Sequence, residues 1–162
     1  PGLAMSSAIS SMAGQNIGAG ELKRAKKTMT TGLMIALGIS ALVFIIVEIF
    51  PRELLTLFTS ETDVVETGIT FLRLAAAEYM IVTPVFCMNG LAIGAGYTNV
   101  ALLNAISSSI IIRVPLAYLL VRVFDLGFNG IGIAMGFAPI ISLFIGIIFV
   151  QSGKWKKAKI RL

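Results

Sequence analysis

Glu78, Asn89 and Arg113 have side chains whose chemistry fits their surroundings poorly. Each sits inside a long apolar run, in a chain that is 57% hydrophobic and only 13% charged. An ionisable group in a bilayer costs several kcal/mol on insertion scales, and it normally faces a partner or a water-filled cavity. Glu78 and Asn89 are eleven residues apart, close to three helical turns at about 3.6 residues each. They share one stripe with Val82, Val85 and Phe86. A carboxylate so placed can hold a proton or a cation; it can equally be one half of a structural ion pair with Arg73 or Arg113. Arg113 has two readings of its own. It can pair with Glu78, or it can cap the carbonyl of Ile111, which Pro115 leaves without its helical donor. Ser107, Ser108 and Ser109, one turn earlier, would then help repair a kink.

Other chemistry is thinly supplied. The chain has no histidine and one cysteine, Cys87, which excludes nucleophile–histidine pairs, histidine-based zinc sites and an internal disulfide. No catalytic constellation can be assembled, so an enzyme is not expected. The sequence Gly14-Gln15-Asn16-Ile17-Gly18-Ala19-Gly20 has a phosphate-loop look but lacks the Gly-Lys-Ser/Thr ending and a preceding strand. Helix termination explains it better, with Gly18 or Gly20 in a left-handed cap. The tetrad Ile-Gly-Ala-Gly recurs at 93–96, where Gly94 and Gly96 would do the same job.

The elements that must position these groups are membrane helices. An average soluble domain is about 25% charged; this chain has half that, and a mean hydropathy of +0.94. A span takes about 20 mostly apolar residues. Four qualify: Thr28–Val47, with Pro51 as a stop beyond it; about Thr67–Ile93; about Asn99–Val121; and Leu126–Gln151. Residues 1–17 read as the tail of a fifth helix, and with Pro1 in place of an initiator Met the chain reads as a fragment that begins within it. The expected fold is an all-α, polytopic membrane helix bundle: four full transmembrane helices plus the end of a fifth. Pro84, Pro115 and Pro139 each remove one helical hydrogen bond and mark places where helices bend. The scattered methionines and Glu48, at the end of the first span, are read as filler and as an interfacial residue.

Charge orients the chain. Lys23, Arg24, Lys26 and Lys27 precede the first span; Lys154, Lys156, Lys157, Lys159 and Arg161 follow the last. These are nine of thirteen basic residues. Short basic segments stay cytoplasmic, whereas Glu53, Glu61, Asp63 and Glu66 make the loop after the first span acidic. Four spans return the chain to its starting side, consistent with a cytoplasmic loop 21–27 and a cytoplasmic basic tail 152–162. The clusters are topology signals and contacts for anionic membrane lipids. No aromatic-studded basic face or soluble domain accompanies them, so a nucleic acid partner is not expected.

The run Gly14–Gly20 with Glu21 and Ala25 resembles a signature of multidrug and toxic compound extrusion (MATE) transporters. Phe71-Leu72-Arg73 and Gly94-Ala95-Gly96 resemble that family at the two ends of one helix, Arg113-Val114-Pro115-Leu116-Ala117-Tyr118 in the next, and Gly127, Gly130 and Ile131 at the entry to the last. The resemblance covers essentially the whole chain. It implies a partial C-terminal lobe (the end of helix 8, then helices 9–12), a missing N-terminal lobe as partner, and a multi-pass location in the plasma (inner) membrane. It further implies efflux of small cationic, amphipathic compounds by alternating access, coupled to a sodium ion or a proton, with no other cofactor or metal. Some members carry a carboxylate in helix 10, where Glu78 is the one acid here; many have Arg and Asp flanking the second Gly-x-Gly, where this chain has Ile93 and Tyr97. Two other readings stand beside it, a lipid-linked oligosaccharide flippase of the same superfamily and a non-transporting scaffold subunit. Glu78, Asn89 and Arg113 are thus the candidates for substrate or ion binding, and Pro84, Pro115, Gly18, Gly20, Gly94 and Gly96 the candidate hinges or kinks.

Overall fold

The computed structural model describes residues 1–157, which are helical throughout their long elements and contain no strand. The helices are α1 (Gly2–Gly18), α2 (Leu22–Ile49), α3 (Pro51–Thr56), α4 (Thr62–Gly94), α5 (Thr98–Ile106), α6 (Arg113–Arg122) and α7 (Gly127–Gln151). A π-helical segment, Ser107–Ile112, joins α5 to α6, and a 3₁₀ turn, Lys154–Lys156, follows α7. Four helical stretches are long and apolar enough to cross a membrane: Leu22–Ile49, Thr62–Gly94, Thr98–Arg122 and Gly130–Gln151. This is the multi-pass all-α bundle that the composition calls for. Lys159 and Arg161 lie outside the described residues.

One end of the bundle is basic and the other acidic. α4 has 33 residues, about 50 Å of helix against an apolar layer of about 30 Å. Arg73 shows where the layer stops. Its Nε lies 3.3 Å from a Glu48 carboxylate oxygen at the end of α2, and from Arg73 to Gly94 is about 32 Å. The first three turns of α4 therefore project beyond the layer and pack with α3, through Gly68 against Leu55 and an Arg52–Glu66 ion pair. The sequence reading makes this stretch a plain acidic loop with Pro51 as a stop. Instead Pro51 opens α3, because its fixed φ and missing N–H suit the first helical position.

α4 is the central element, packed against α1, α2 and α7. α1 and α4 run parallel in a fixed register. A Cβ added at Gly90 would lie 2.5 Å from the Ser6 carbonyl oxygen, and one at Gly94 would lie 2.5 Å from that of Ser10. Small residues four apart on both helices (Ser6, Ser10 and Gly14 facing Gly90 and Gly94) let the backbones touch, as is common where apolar surface alone cannot drive association. Against this seam Ile9, Ala13, Leu91 and Ala92 are fully buried. Farther along α4, Thr83 shares a 2.7 Å hydrogen bond with Ser40 of α2.

The two Ile-Gly-Ala-Gly copies do share a job. Glu21 N–H donates to Asn16 C=O and Gly20 N–H to Ile17 C=O; Tyr97 N–H donates to Ala92 C=O and Gly96 N–H to Ile93 C=O. Both are Schellman caps. Gly20 and Gly96 hold the left-handed residue, at φ 77° and 80°. Gly18 and Gly94 are the last helical residues instead, and Gly94 serves the close approach to α1 rather than a bend. The second cap is anchored from the tail: Tyr97 Oη donates to the Lys157 carbonyl at 2.9 Å, and its ring lies 5.5 Å from that of Phe149.

Of the three helix-internal prolines, Pro84 and Pro139 lie within the unbroken helices α4 and α7. The break falls before Pro115, at Ser107–Ile112, and takes the form of a wider π turn. Such turns absorb a lost or displaced helical hydrogen bond and recur at functional sites. Among the described residues, the hydroxyls of Ser107, Ser108 and Ser109 find no backbone partner, so the expected repair of a kink by them is not seen.

Candidate functional site

Glu78, Asn89 and Arg113 line one cavity of about 430 Å³, bounded by α4, α5, the π segment, α7 and the start of α1. The antiparallel course of α4 and α5–α6 about the turn at Gly96 brings them together. Its polar groups fall into two tiers about 16 Å apart along α4, the rise of eleven residues.

The tier toward the acidic end is the ion pair. Arg113 Nη2 donates to a Glu78 carboxylate oxygen at 2.5 Å. The Glu78 side chain is 12% exposed and that of Arg113 34%. The alternatives left open by the sequence are thereby resolved. Arg73 is taken by Glu48 at the membrane edge, and Arg113 reaches across to α4 rather than to a carbonyl beside Pro115. Arg113 Nε remains buried without a partner. Among the described residues, Glu78 and Arg113 are the only charged side chains on the cavity wall, so the pair leaves those side chains with no net charge.

The inner tier is an amide cluster. Asn104 Nδ2 donates to Asn89 Oδ1 at 2.6 Å, and Ser142 Oγ of α7 donates to the Asn104 carbonyl at 2.9 Å. Asn104 is 1% exposed and is the one buried residue along α5, the π segment and α6. Its Oδ1 has no partner. Sequence reasoning passed over Asn104 and Ser142. A signal existed for the first: Asn89 lies seven residues before Gly96 and Asn104 eight after it, so an antiparallel pair must place them at one depth.

Between the tiers the wall is mostly apolar, with Val82, Val85 and Phe86 of α4 and Pro139 of α7, interrupted by the hydroxyls of Thr83 and of Ser108 and Ser109 of the π segment. An apolar cleft with a few fixed polar groups is the usual form of a small-molecule site. The donors facing it are oxygens of carboxylate, amide and hydroxyl groups, which suit a hard cation and not a soft metal. Among the described residues, no group of three acidic, cysteine or histidine side chains assembles.

Comparison with known proteins agrees with this architecture. The chain is similar to the inward-facing structure of a multidrug resistance MATE family transporter of the MOP superfamily, with a TM-score of 0.87 at 21% identity over 99% of this chain and 38% of that one. It is also similar to the eukaryotic MATE transporter AtDTX14, at a TM-score of 0.81 and 22% identity over 97% of this chain and 35% of that one. These likenesses show the fold. In sequence it is 31% identical to the probable multidrug resistance protein YpnP of Bacillus subtilis over 161 residues, 99% of this chain and 36% of the relative. It is 27% identical to the probable multidrug resistance protein NorM of Thermotoga maritima over 97% of this chain and 34% of the relative. The chain thus spans about a third of the length of these relatives. The MatE family model matches residues 1–119, the stretch that holds Glu78, Asn89, Asn104 and Arg113, and the chain belongs to the MatE family.

Proposed function

We propose that the chain is part of a cation-coupled multidrug efflux antiporter that exports small cationic, amphipathic compounds by alternating access. In this reading α1 is the end of helix 8, and α2, α4, α5–α6 and α7 are helices 9 to 12 of a C-terminal lobe facing an N-terminal lobe. The basic loop 21–27 and the tail 152–162 lie on the cytoplasmic side of the plasma (inner) membrane, by the positive-inside rule.

The observation that carries the reading is the sharing of Glu78 with Arg113 on the cavity wall. A carboxylate held by a guanidinium is a charge that can be exchanged. While Arg113 holds Glu78, the wall is neutral. When a sodium ion or proton takes the carboxylate, Arg113 is released and its positive charge repels a cationic compound from the apolar wall beside it. Coupling cation and substrate would thereby exclude one another, which an antiporter requires. Asn89 and Asn104 would orient the polar part of the substrate, and Val82 and Phe86 would cover its apolar part. The flippase reading is less well supported, because an anionic lipid-linked substrate needs surplus positive charge and the one arginine here is matched by Glu78.

The test is transport by the full-length protein in vesicles. Glu78→Gln is expected to abolish cation-dependent efflux of a cationic dye. Efflux and cation dependence like the parent's would remove Glu78 from the coupling step and overturn the reading.

A further inference from the structure

A second cavity, of about 470 Å³, opens between α1 and α2 at the basic end. The transport reading does not use it. Its composition changes along the membrane normal. Arg24 and Lys27 stand at its mouth with the hydroxyls of Thr28 and Thr31 and the Asn16 amide; Met5, Ile9, Met12 and Ile35 wall its deeper part. Its floor is Gly32, where a Cβ would come within 2.8 Å of Ile9 Cδ1. From Arg24 to Ile35 is about 16 Å of helix, enough to pass from the interface well into the apolar layer. Met12 and Ile35 remain 53% and 50% exposed.

The charge at the mouth is unbalanced. Among the described residues neither Arg24 nor Lys27 makes an ion pair, and Glu21 is the one acid in residues 1–47. α2 has no acidic residue in its first turn, and Glu21 at its N-cap makes no capping hydrogen bond, so a single carboxylate stands against four basic side chains there. Its N-terminus carries the positive end of the helix dipole, which disfavours Lys23, Arg24, Lys26 and Lys27 placed there. An anion at the mouth would offset both. A free anion would leave the apolar walls bare, whereas a molecule with an anionic head and an acyl chain satisfies both parts at once. A basic site between helices on this side of a bundle is a recognised pattern for anionic headgroups.

We propose that the groove between α1 and α2 binds an anionic phospholipid, its phosphate between Arg24 and Lys27 and one acyl chain along Met5, Ile9, Met12 and Ile35. The ligand pins the α1–α2 hairpin at its basic end. A zwitterionic lipid binds less well because its own ammonium neutralises its phosphate.

The test is native mass spectrometry of the delipidated full-length protein titrated with phosphatidylglycerol or phosphatidylcholine. Phosphatidylglycerol is expected to be retained and phosphatidylcholine to be lost. Arg24→Ala with Lys27→Ala is expected to weaken retention about thirtyfold, from roughly 1 kcal/mol per basic residue near an anionic surface. Lys23→Ala with Lys26→Ala removes the same charge from residues that do not line the groove and should change retention less than about threefold. Ala8→Phe, which fills the groove and keeps the charges, should also lower retention. Equal loss in the two charge variants would mean diffuse surface attraction and would overturn the site. So would equal retention of the two lipids, displacement by inorganic phosphate alone, or full retention by Ala8→Phe.

Discussion

Replacing Arg113 with Gln removes the one cation bonded to Glu78 and leaves a carboxylate, 12% exposed, facing apolar neighbours. The magnitude follows from the geometry. At about 4 Å between charge centres and an effective dielectric of about 20, the pair attracts by about 4 kcal/mol. Arg113 keeps 34% of its side chain exposed toward the cavity, and solvent reaching it reduces the coupling to about 2 kcal/mol, roughly thirtyfold in the folded-to-unfolded ratio. The two single variants should differ. Arg113→Gln strands the more buried partner and is expected to cost about 3 kcal/mol. Glu78→Gln strands a guanidinium that the cavity can hydrate, at about half that cost. The double variant should then cost about 2.5 kcal/mol, well below the sum of the singles. Reversible unfolding in mixed micelles, followed by helicity across a detergent titration, measures all four proteins. Additivity within about 0.5 kcal/mol would refute the coupling. A larger cost for Glu78→Gln than for Arg113→Gln would refute the claim that burial sets the asymmetry.

Gly94→Val drives a side chain into the Ser10 carbonyl and is expected to cost at least about 2 kcal/mol in the same titration. Gly38→Ala, with nothing within 4 Å of the added Cβ, should be neutral or stabilising. Gly20→Ala and Gly96→Ala, at positive φ, should each cost about 1 kcal/mol, whereas Gly18→Ala, helical and open, should cost nothing measurable. Cys87 is fully buried, so a thiol reagent should leave Cys87 unlabelled in the native protein, and any thiol outside this chain is first replaced with serine. In that background Lys26→Cys and Glu61→Cys should react from opposite sides of the membrane, and reaction from the same side would overturn the helix topology.

Much of the frame was legible residue by residue. Spans follow from runs of apolar side chains, because the cost of burying charge in lipid is local and additive along a helix. The basic and acidic ends follow from counting. Both caps were marked by the same tetrad, since only glycine enters the left-handed turn cheaply; which glycine of each pair does so was not. Depth could also be read. Glu78 lies eighteen residues before Gly96 and Arg113 seventeen after it, so two antiparallel helices must bring them level.

Depth is not contact. Whether Glu78 meets Arg113 depends on how α4 and α6 are rotated about their own axes, and no periodicity within one helix carries that angle. It is set where α1 closes onto Gly90 and Gly94, because backbones that touch leave α4 little freedom to turn. Asn104 escaped notice for a related reason. Among the apolar residues of α5 an asparagine has no local signature, and only the helices opposite, bearing Asn89 and Ser142, make it the buried residue of its strip. The π segment likewise lies between Asn104 and Arg113, the two residues that reach across to α4, and no local pattern in α5 marks where it begins. Composition and spacing determined how many helices cross the membrane and at what depth each polar group lies; the close packing of α1 on α4 decided which of those groups share a wall.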